Sequence, residues 1–567
     1  MKKYIYLLVV SFSIFSCSDE FLEKNPLDEI SEPEFWKTPA DLKLYANSFY
    51  QNLPGWGAVS LGFSQLPDSD SDLLIGTAPS SRLLGNTNVP TAKSNSVWNW
   101  ANVRKANYFI DNVSKATGDP VEIAQYTGEG YFFRAFYYYS LLQNYGNLPI
   151  IDKYLKHTDV DYLYKGRDPR NKVVDFMLAD LDIAISKLKT KAQLLTNPRI
   201  NKEAALLLKA HIALYEGTWE KYHSGTAFGV AGSTGTDYLQ KAADAAKAII
   251  DGGAFTLHSN YGSLFNQITL NGNTEVILWR QYDFVTFGTN YGNSAQIWPN
   301  RSSYTRFAIR NFLCKDGLPI AVSPLYQGDQ SLSVLETNRD PRLAAIVMVP
   351  GDVRSVAVNG TTTLFTTPIL TTNNAAVGGY ESQKYRIPNF DPATNAATRN
   401  TAKIIMRYAE ALLIYAEAKA ELGTITQNDL NISINKLRQR AGMPNLNMTA
   451  IVTDPNWPDY GYPVTPLLQE IRRERAVELI AEGFRFDDLM RWRAHKLFVV
   501  QRPRGAYYQT GWAANQRIDS ERYLDPFQVS VAAGYAFKPD RDYLQALPID
   551  ELTLNPNLLP QNPGWVN

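Results

Sequence analysis

Between residues 121 and 145 the apolar side chains of Tyr131, Phe132, Ala135, Phe136, Tyr139 and Leu142 recur every three or four positions. That period gathers them on one broad face of an α-helix, wide enough to pack between neighbouring helices. Gly146 follows, a residue type that readily ends a helix. The same reading applies to 39–53, where Thr38 stands at the N-cap and Leu42, Tyr45, Ala46 and Phe49 fall at helical spacing. Further helices are predicted at 97–116, 170–188, 201–222 and 238–250, the last stopped by Gly252 and Gly253. Long periodicity then vanishes. From about 252 to 401 Gly, Asn, Thr and Pro recur, and apolar runs shorten to strand length at 275–279 and 344–349, which predicts loops and short hairpins. Helices return at 402–422, 427–441, 466–481 and 486–496, and residues 497–567 read mostly as coil.

One module recurs in the helical parts: an Ala- and Tyr-rich helix ending near a Gly, then a turn and a second helix. It is visible from Arg134 to Gly146, from Lys209 to Gly217 and from Tyr408 to Gly423. Alternating small and large residues let helices approach in pairs, in the manner of a degenerate tetratricopeptide-like stack or of ordinary helix packing. The predicted fold is mainly α: one domain over 39–567, with helix pairs at about 39–251 and 402–496, a loop-rich insertion at about 252–401 and a C-terminal coil from about 497.

Composition narrows the class. Hydrophobic residues make up 45% of 567 and charged residues 20%, which fits a globular chain rather than a disordered or multi-span one. Fifty-six basic residues balance fifty-six acidic ones and no basic run is present, so nucleic acid is not an expected partner. Aromatic content is 12%, which calls either for a core rich in rings or for rings presented to a ligand.

The N-terminus reads as an export address. Lys2 and Lys3 precede an apolar stretch from Tyr4 to Phe15, shorter than the roughly 20 residues that span a bilayer. Ile14-Phe15-Ser16-Cys17 resembles a lipobox, so residues 1–16 are expected to be removed and Cys17 to be lipidated; the alternative is an ordinary signal peptide with an incidental cysteine. Residues 17–38, with Ser18, Asp19 and Glu20, then form a polar tether and lead-in. The processed chain carries a net charge of −2, because only Lys2 and Lys3 are lost. Cys314 is the one other cysteine, so no internal disulfide is expected once Cys17 is acylated, and Cys314 reads as a small buried apolar residue.

Catalytic signatures are missing. His157, His211, His223, His258 and His495 include no pair at the spacing of a zinc-binding helix, and there is no G-x-S-x-G elbow, phosphate-binding loop or dinucleotide fingerprint. No enzyme activity and no cofactor are predicted, although two suitably placed carboxylates, all that a glycosidase needs, are beyond what sequence can exclude. Asp68, Asp70 and Asp72 form a D-x-D-x-D array with oxygens for Ca²⁺, but Leu73 and Pro79 stand where an EF-hand needs Gly and Glu. Turn-forming and helix-capping aspartates are the favoured reading. Along 470–492, Arg475 with Glu478, Glu482 with Arg485 and Asp487 with Arg491 stand at helical pair spacing, each such pair adding roughly 0.2–0.5 kcal/mol to a helix.

Four stretches together carry a resemblance: Cys17-Ser-Asp-Glu-Phe-Leu-Glu-Lys-Asn-Pro, Arg407-Tyr-Ala-Glu-Ala-Leu-Leu-Ile-Tyr-Ala-Glu-Ala, Arg472-Arg-Glu-Arg-Ala-Val-Glu-Leu through Glu482-Gly-Phe-Arg-Phe-Asp-Asp-Leu-Met-Arg-Trp, and Pro548-Ile-Asp-Glu-Leu through Gln561-Asn-Pro-Gly-Trp. In this order they resemble the SusD/RagB family of outer-membrane nutrient-binding lipoproteins. The resemblance implies four tetratricopeptide-like helix pairs carrying a loop-rich second half, shown on the outer-membrane surface of a Bacteroidota-type bacterium by a lipid anchor. It also implies a SusC-like TonB-dependent transporter as partner, to which ligand is delivered for import. Many members resemble glycan binders and some capture peptides; glycan capture is the expectation, peptide capture on the same scaffold is the alternative, and a glycosidase or an assembly scaffold stands behind both, while the particular sugar stays open.

A glycan offers apolar C–H faces to aromatic rings and hydroxyls to amides and charged groups. Two segments supply that mixture. One is Trp98, Trp100 and Asn102 with Arg82 in the preceding loop, where family glycan binders are similar in carrying an aromatic and an amide. The other is Tyr282, Asp283, Phe284, Phe287, Tyr291, Trp298 and Tyr304 on a Gly- and Asn-rich loop. Trp98 or Trp100 can equally fill the core, and part of the second group can pack a hairpin.

Overall fold

The first helix begins with a reciprocal cap: the Asp41 N–H donates to the Thr38 hydroxyl, and the Thr38 N–H donates to the Asp41 carboxylate at 2.8 Å. The computed structural model describes residues 35–56, 68–195, 197–283, 302–357, 359–372, 375–387 and 401–566. The expected signal peptide, Cys17 and most of the tether lie outside these residues. Single four-residue turns aside, the helices are α1 (Pro39–Asn47), α2 (Ala101–Asn112), α3 (Pro120–Tyr145), α4 (Arg170–Lys187), α5 (Lys202–Tyr222), α6 (Thr236–Asp251), α7 (Arg306–Asn311), α8 (Tyr408–Glu421), α9 (Gln427–Asn431), α10 (Ile434–Arg440), α11 (Pro466–Glu478), α12 (Arg485–Arg491) and α13 (Ile549–Leu554).

Consecutive helices α2 through α6 pack against one another, α6 then packs on α8, and α8 on α11, so the helical part is a stack of pairs. In α3 the apolar stripe widens until most of the helix is buried, and Gly146 ends it at φ +70°. Close approach is built into the sequence. A Cβ on Gly130 would stand 2.6 Å from a ring carbon of Phe109 in α2, so only glycine lets α2 and α3 meet at this distance.

The loop-rich half carries short antiparallel strands: β1 (Leu74–Gly76), β2 (Val276–Arg280), β3 (Ser302–Tyr304), β4 (Val353–Val356), β5 (Thr362–Leu364), β6 (Tyr380–Glu381) and β7 (Lys403–Arg407). They pair as β1-β3-β6, β2-β7 and β4-β5. Three expectations are corrected. The stretch 344–349 is a run of turns after Asp340, with only Val347 bridging to Ser382. Residues 403–407 open as strand β7 rather than helix, because Ile404 and Ile405 sit in an extended segment paired to β2. The helix expected over 427–441 breaks at Ser433, whose hydroxyl donates to the Asp429 carbonyl at 2.5 Å.

The charges of 470–492 are corrected as well. None of the three expected pairs forms; besides the one-turn pairs Glu470–Arg473 and Asp488–Arg491, the partners are groups on other elements, most of them far along the chain. Glu478 accepts from Arg342 (2.9 Å), Arg407 (2.7 Å) and Arg440 (2.6 Å), and Glu482 from Lys384 and Arg407, both at 2.7 Å. Arg475 pairs with Asp488 at 2.8 Å, Arg485 with Asp72 at 2.7 Å, and Arg491 with Glu417 at 2.6 Å. This buried lattice ties α8, α10, α11 and α12 to the loop-rich half.

Candidate functional site

The C-terminal coil returns to the start of the helical stack. The Gln545 N–H donates to the Asn144 carbonyl (2.7 Å), the Ile549 N–H to that of Pro90 (2.9 Å), and the Asn562 amide to that of Tyr145 (3.1 Å). From the other side Arg167 donates to the Leu558 carbonyl at 2.9 Å. These bonds lay α13 and the turn after it beside the first residues of α2 and the segment 149–165. Between them lies a cleft of about 880 Å³.

Rings and a pinned polar rim line it. Trp98 forms the inner wall, only 2% exposed, with its indole N–H donating to Glu551 at 3.3 Å. It stands edge-on to Tyr145 (5.0 Å) and to Trp100 (5.4 Å), and Trp100, half-buried, leans on Tyr138 at 5.7 Å. Tyr162 and the more exposed Tyr164 also line the cleft. Lys153 lies 4.4 Å from the Tyr162 ring centre and pairs with Asp159 at 2.8 Å. Arg104 stacks on Tyr154 at 4.1 Å and donates to the Leu155 carbonyl at 2.7 Å. Lys93 closes the rim on Glu551 at 3.2 Å. Such a surface offers flat apolar faces and fixed polar groups to a ring-shaped polar ligand. Among the described residues Glu551 is the only carboxylate lining the cleft.

Of the residues nominated from sequence that the structure describes, Trp98 and Trp100 meet in this cleft, and Arg82, Asn102, Tyr282 and Tyr304 do not. Arg82 lies elsewhere, over the Phe486 ring at 4.4 Å and donating to the Tyr543 carbonyl. Asn102 points to the other side of α2, where its amide donates to Asn52 at 3.4 Å. Tyr282 is buried, its hydroxyl accepting the Trp56 N–H at 2.7 Å. Tyr304 is core, fully buried in β3. Phe284, Phe287, Tyr291 and Trp298 lie outside the described residues. Sequence reasoning passed over Tyr162, Tyr164 and Glu551. The run Val160-Asp-Tyr-Leu-Tyr, an aromatic cluster in an otherwise polar connection, was the available signal for the first two.

The three aspartates do not converge on a cation position. Asp68 accepts the backbone N–H groups of Gly483 (3.2 Å) and Arg485 (2.9 Å), Asp72 holds the Arg485 guanidinium, and Asp70 is exposed. Together Asp68 and Asp72 organise the start of α12, which is why both are buried. Burial pushes the Asp68 carboxyl up to about 7 despite its two N–H donors. Among the described residues no group of three or more His, Cys, Asp or Glu side chains is arranged to hold a metal.

Comparison with known proteins gives a consistent match. A family model described as the SusD family matches residues 263–565, and a second, described as starch-binding associating with outer membrane, matches residues 21–214. SusD-like protein P2 of Formosa agariphila is 27% identical, with all of both chains covered. Among solved structures, a SusD-like carbohydrate binding protein from Bacteroides fragilis superposes with a TM-score of 0.72 at 22% identity, over 93% of this chain and 100% of the other. A laminarin binding SusD-like protein superposes with a TM-score of 0.56 at 18% identity, over 94% and 100%. At these identities the structural likenesses speak for the fold.

Proposed function

The chain belongs to the SusD family, and on that premise we propose that it is a non-catalytic glycan-capturing lipoprotein of the outer-membrane surface, anchored through Cys17, which hands oligosaccharide to a SusC-like TonB-dependent transporter. The observation that carries the reading is the cleft where Trp98, Trp100, Tyr162 and Tyr164 meet a rim of fixed polar groups. Stacking on rings and hydrogen bonding to a preformed rim hold a sugar without any proton transfer, so capture followed by release needs no chemistry at the site. The description of the family model over the first part of the chain, and the laminarin-binding neighbour, support a glycan as ligand class.

The test is retardation of the chain in native gels containing a panel of polysaccharides, with reducing ends assayed in parallel. Retardation by one glycan, weakened in Trp100→Ala and accompanied by no new reducing ends, is the expected result. Release of reducing ends would overturn the non-catalytic reading, and retardation unchanged in Trp100→Ala would place the ligand elsewhere.

A further inference from the structure

A second cleft, of about 560 Å³, lies between α7, the segment 497–504 and the loop at 454–458. Five arginines line it, and four are committed. Arg306 pairs with Asp329 at 2.7 Å, Arg473 with Asp454 at 2.8 Å, Arg502 with Asp525 at 2.8 Å, and Arg504 with Asp519 at 3.1 Å. Arg310 differs. It is half-buried in the wall, yet among the described residues its side chain makes no hydrogen bond or close ion pair; its charge reaches only Tyr326 and the Asp329 carboxylate that Arg306 already holds. Asn311 and Gln501 line the same cleft, and their side-chain amides likewise have no partner among the described residues. The carboxylates in the lining, Asp72, Asp454 and Asp525, are each held by an arginine.

Apolar side chains complete the lining: Phe307, about one turn before Arg310 on α7, and Leu497 and Phe498 on the facing segment. At its lip stands Val500, 77% exposed and at φ +53°, a backbone region that a β-branched residue rarely adopts. The conformation is locked from outside: the Val500 N–H donates to the Tyr535 carbonyl at 2.8 Å, the Tyr535 N–H to that of Gln501 at 3.0 Å, and the Gln501 N–H to that of Phe498 at 3.0 Å. Strain held this way at a solvent-facing lip marks a position whose shape is maintained against its local cost. A guanidinium and two amides whose side chains make no hydrogen bond among the described residues, beside apolar side chains in a concave site, form a receptor for an oxyanion carried on a ring with an apolar face.

We propose that this cleft is a second ligand site that binds the acid group of an acidic oligosaccharide, a uronate carboxylate or a sulfate ester, on Arg310 with Asn311 and Gln501. The inference rests on the glycan reading above and adds charge selectivity to it. The guanidinium fork takes two oxygens of the acid group, the amides take flanking hydroxyls, and a pyranose face lies on Phe307 and Leu497.

The experiment is calorimetric titration of the full chain with trigalacturonate, with a sulfated galactotriose and with neutral galactotriose, at low salt and at about 0.5 M salt. At least one acidic trisaccharide is expected to bind about tenfold more tightly than the neutral one at low salt, an advantage that shrinks at high salt. Which of the two acids binds identifies the oxyanion. Arg310→Gln should abolish the preference while moving the thermal midpoint little, since among the described residues the Arg310 side chain makes no hydrogen bond or close ion pair and acts on Asp329 and Tyr326 only through its charge. Equal binding of acidic and neutral sugars, or a preference that survives Arg310→Gln, overturns the proposal. If polysaccharides are retained through Trp100 but neither acidic trisaccharide is preferred, this inference falls and the capture reading stands; if no glycan of either charge is bound, both fall.

Discussion

Glu478 is the keystone of the buried charge lattice, and its replacement by glutamine tests whether that lattice holds the two halves of the molecule together. The carboxylate is fully buried and accepts from Arg342, Arg407 and Arg440 at 2.6–2.9 Å. The three arginines are themselves fixed by Asp340, Glu474, Glu482 and Glu275, so they cannot swing to solvent when Glu478 loses its charge. An amide of the same shape keeps one acceptor oxygen and presents N–H donors to guanidinium N–H groups. Breaking a buried pair in this way costs about 3–5 kcal/mol, because the partner charges stay buried and undercompensated. The unfolding entropy of a chain this size is roughly 1 kcal/mol/K at about 2.1 cal/mol/K per residue, so Glu478→Gln should lower the thermal midpoint by about 3–5 °C. Lys247→Ala is the control. Lys247 and Asp251 form an exposed pair one turn apart on α6, and removing it should cost under about 0.5 kcal/mol and move the midpoint by less than about 1 °C. Scanning calorimetry of both variants at pH 7 decides the matter. A shift for Glu478→Gln no larger than that for Lys247→Ala would refute the claim that the lattice carries stability.

The pH dependence of stability should run in two directions. Neighbouring arginines hold Glu478, Glu482 and Asp488 below the usual carboxylate range, so the stability they contribute is present above the ordinary carboxylate pKa and is lost as pH falls into the acid range. Asp68, Glu220 and Glu336 are raised by burial to about 7 each, so their contribution is full below the ordinary carboxylate pKa and is lost as pH rises through 7. The thermal midpoint should therefore peak on the mildly acidic side, and Asp68→Asn should narrow the difference between about pH 5 and pH 8; an equal difference in variant and wild type would show that Asp68 does not titrate there. Gly130→Ala should lower the denaturant midpoint by the equivalent of about 1–3 kcal/mol, because the new methyl meets the Phe109 ring at 2.6 Å. Trp100→Ala should weaken glycan binding by about 0.5–1.5 kcal/mol, roughly a two- to twelvefold rise in Kd, with little change in melting, whereas Trp98→Ala should lower the melting midpoint because Trp98 fills the wall between Tyr145 and Glu551.

The helical stack was legible because its signal is local. A stripe such as Tyr131 to Leu142 encodes helix and face together, and Thr38 and Gly146 mark ends that the structure places within a residue or two. What was not legible depends on who meets whom. The charges of 470–492 read as neighbours on a helix, because spacing along one element is all that a sequence displays; in space Glu478 meets Arg342 and Arg407, which are 136 and 71 positions away. The site shows the same limit. Trp98 and Trp100 were recognisable as rings near a helix start, but whether a ring faces core or solvent is set by what packs over it, and here the cover is Glu551 and α13, supplied by a coil more than 450 positions later. Arg82 and Asn102 were grouped with them by closeness along the chain, and the helix geometry of α2 turns Asn102 away from the cleft that begins two residues earlier at Trp100. Arg310, with no hydrogen bond or close ion pair from its side chain among the described residues, is the clearest case of all: among 56 basic residues nothing local sets it apart, and it stands out only once each arginine around it has been assigned its carboxylate. A binding site in this chain is thus written less in the residues that form it than in the partners that every other polar group has already taken.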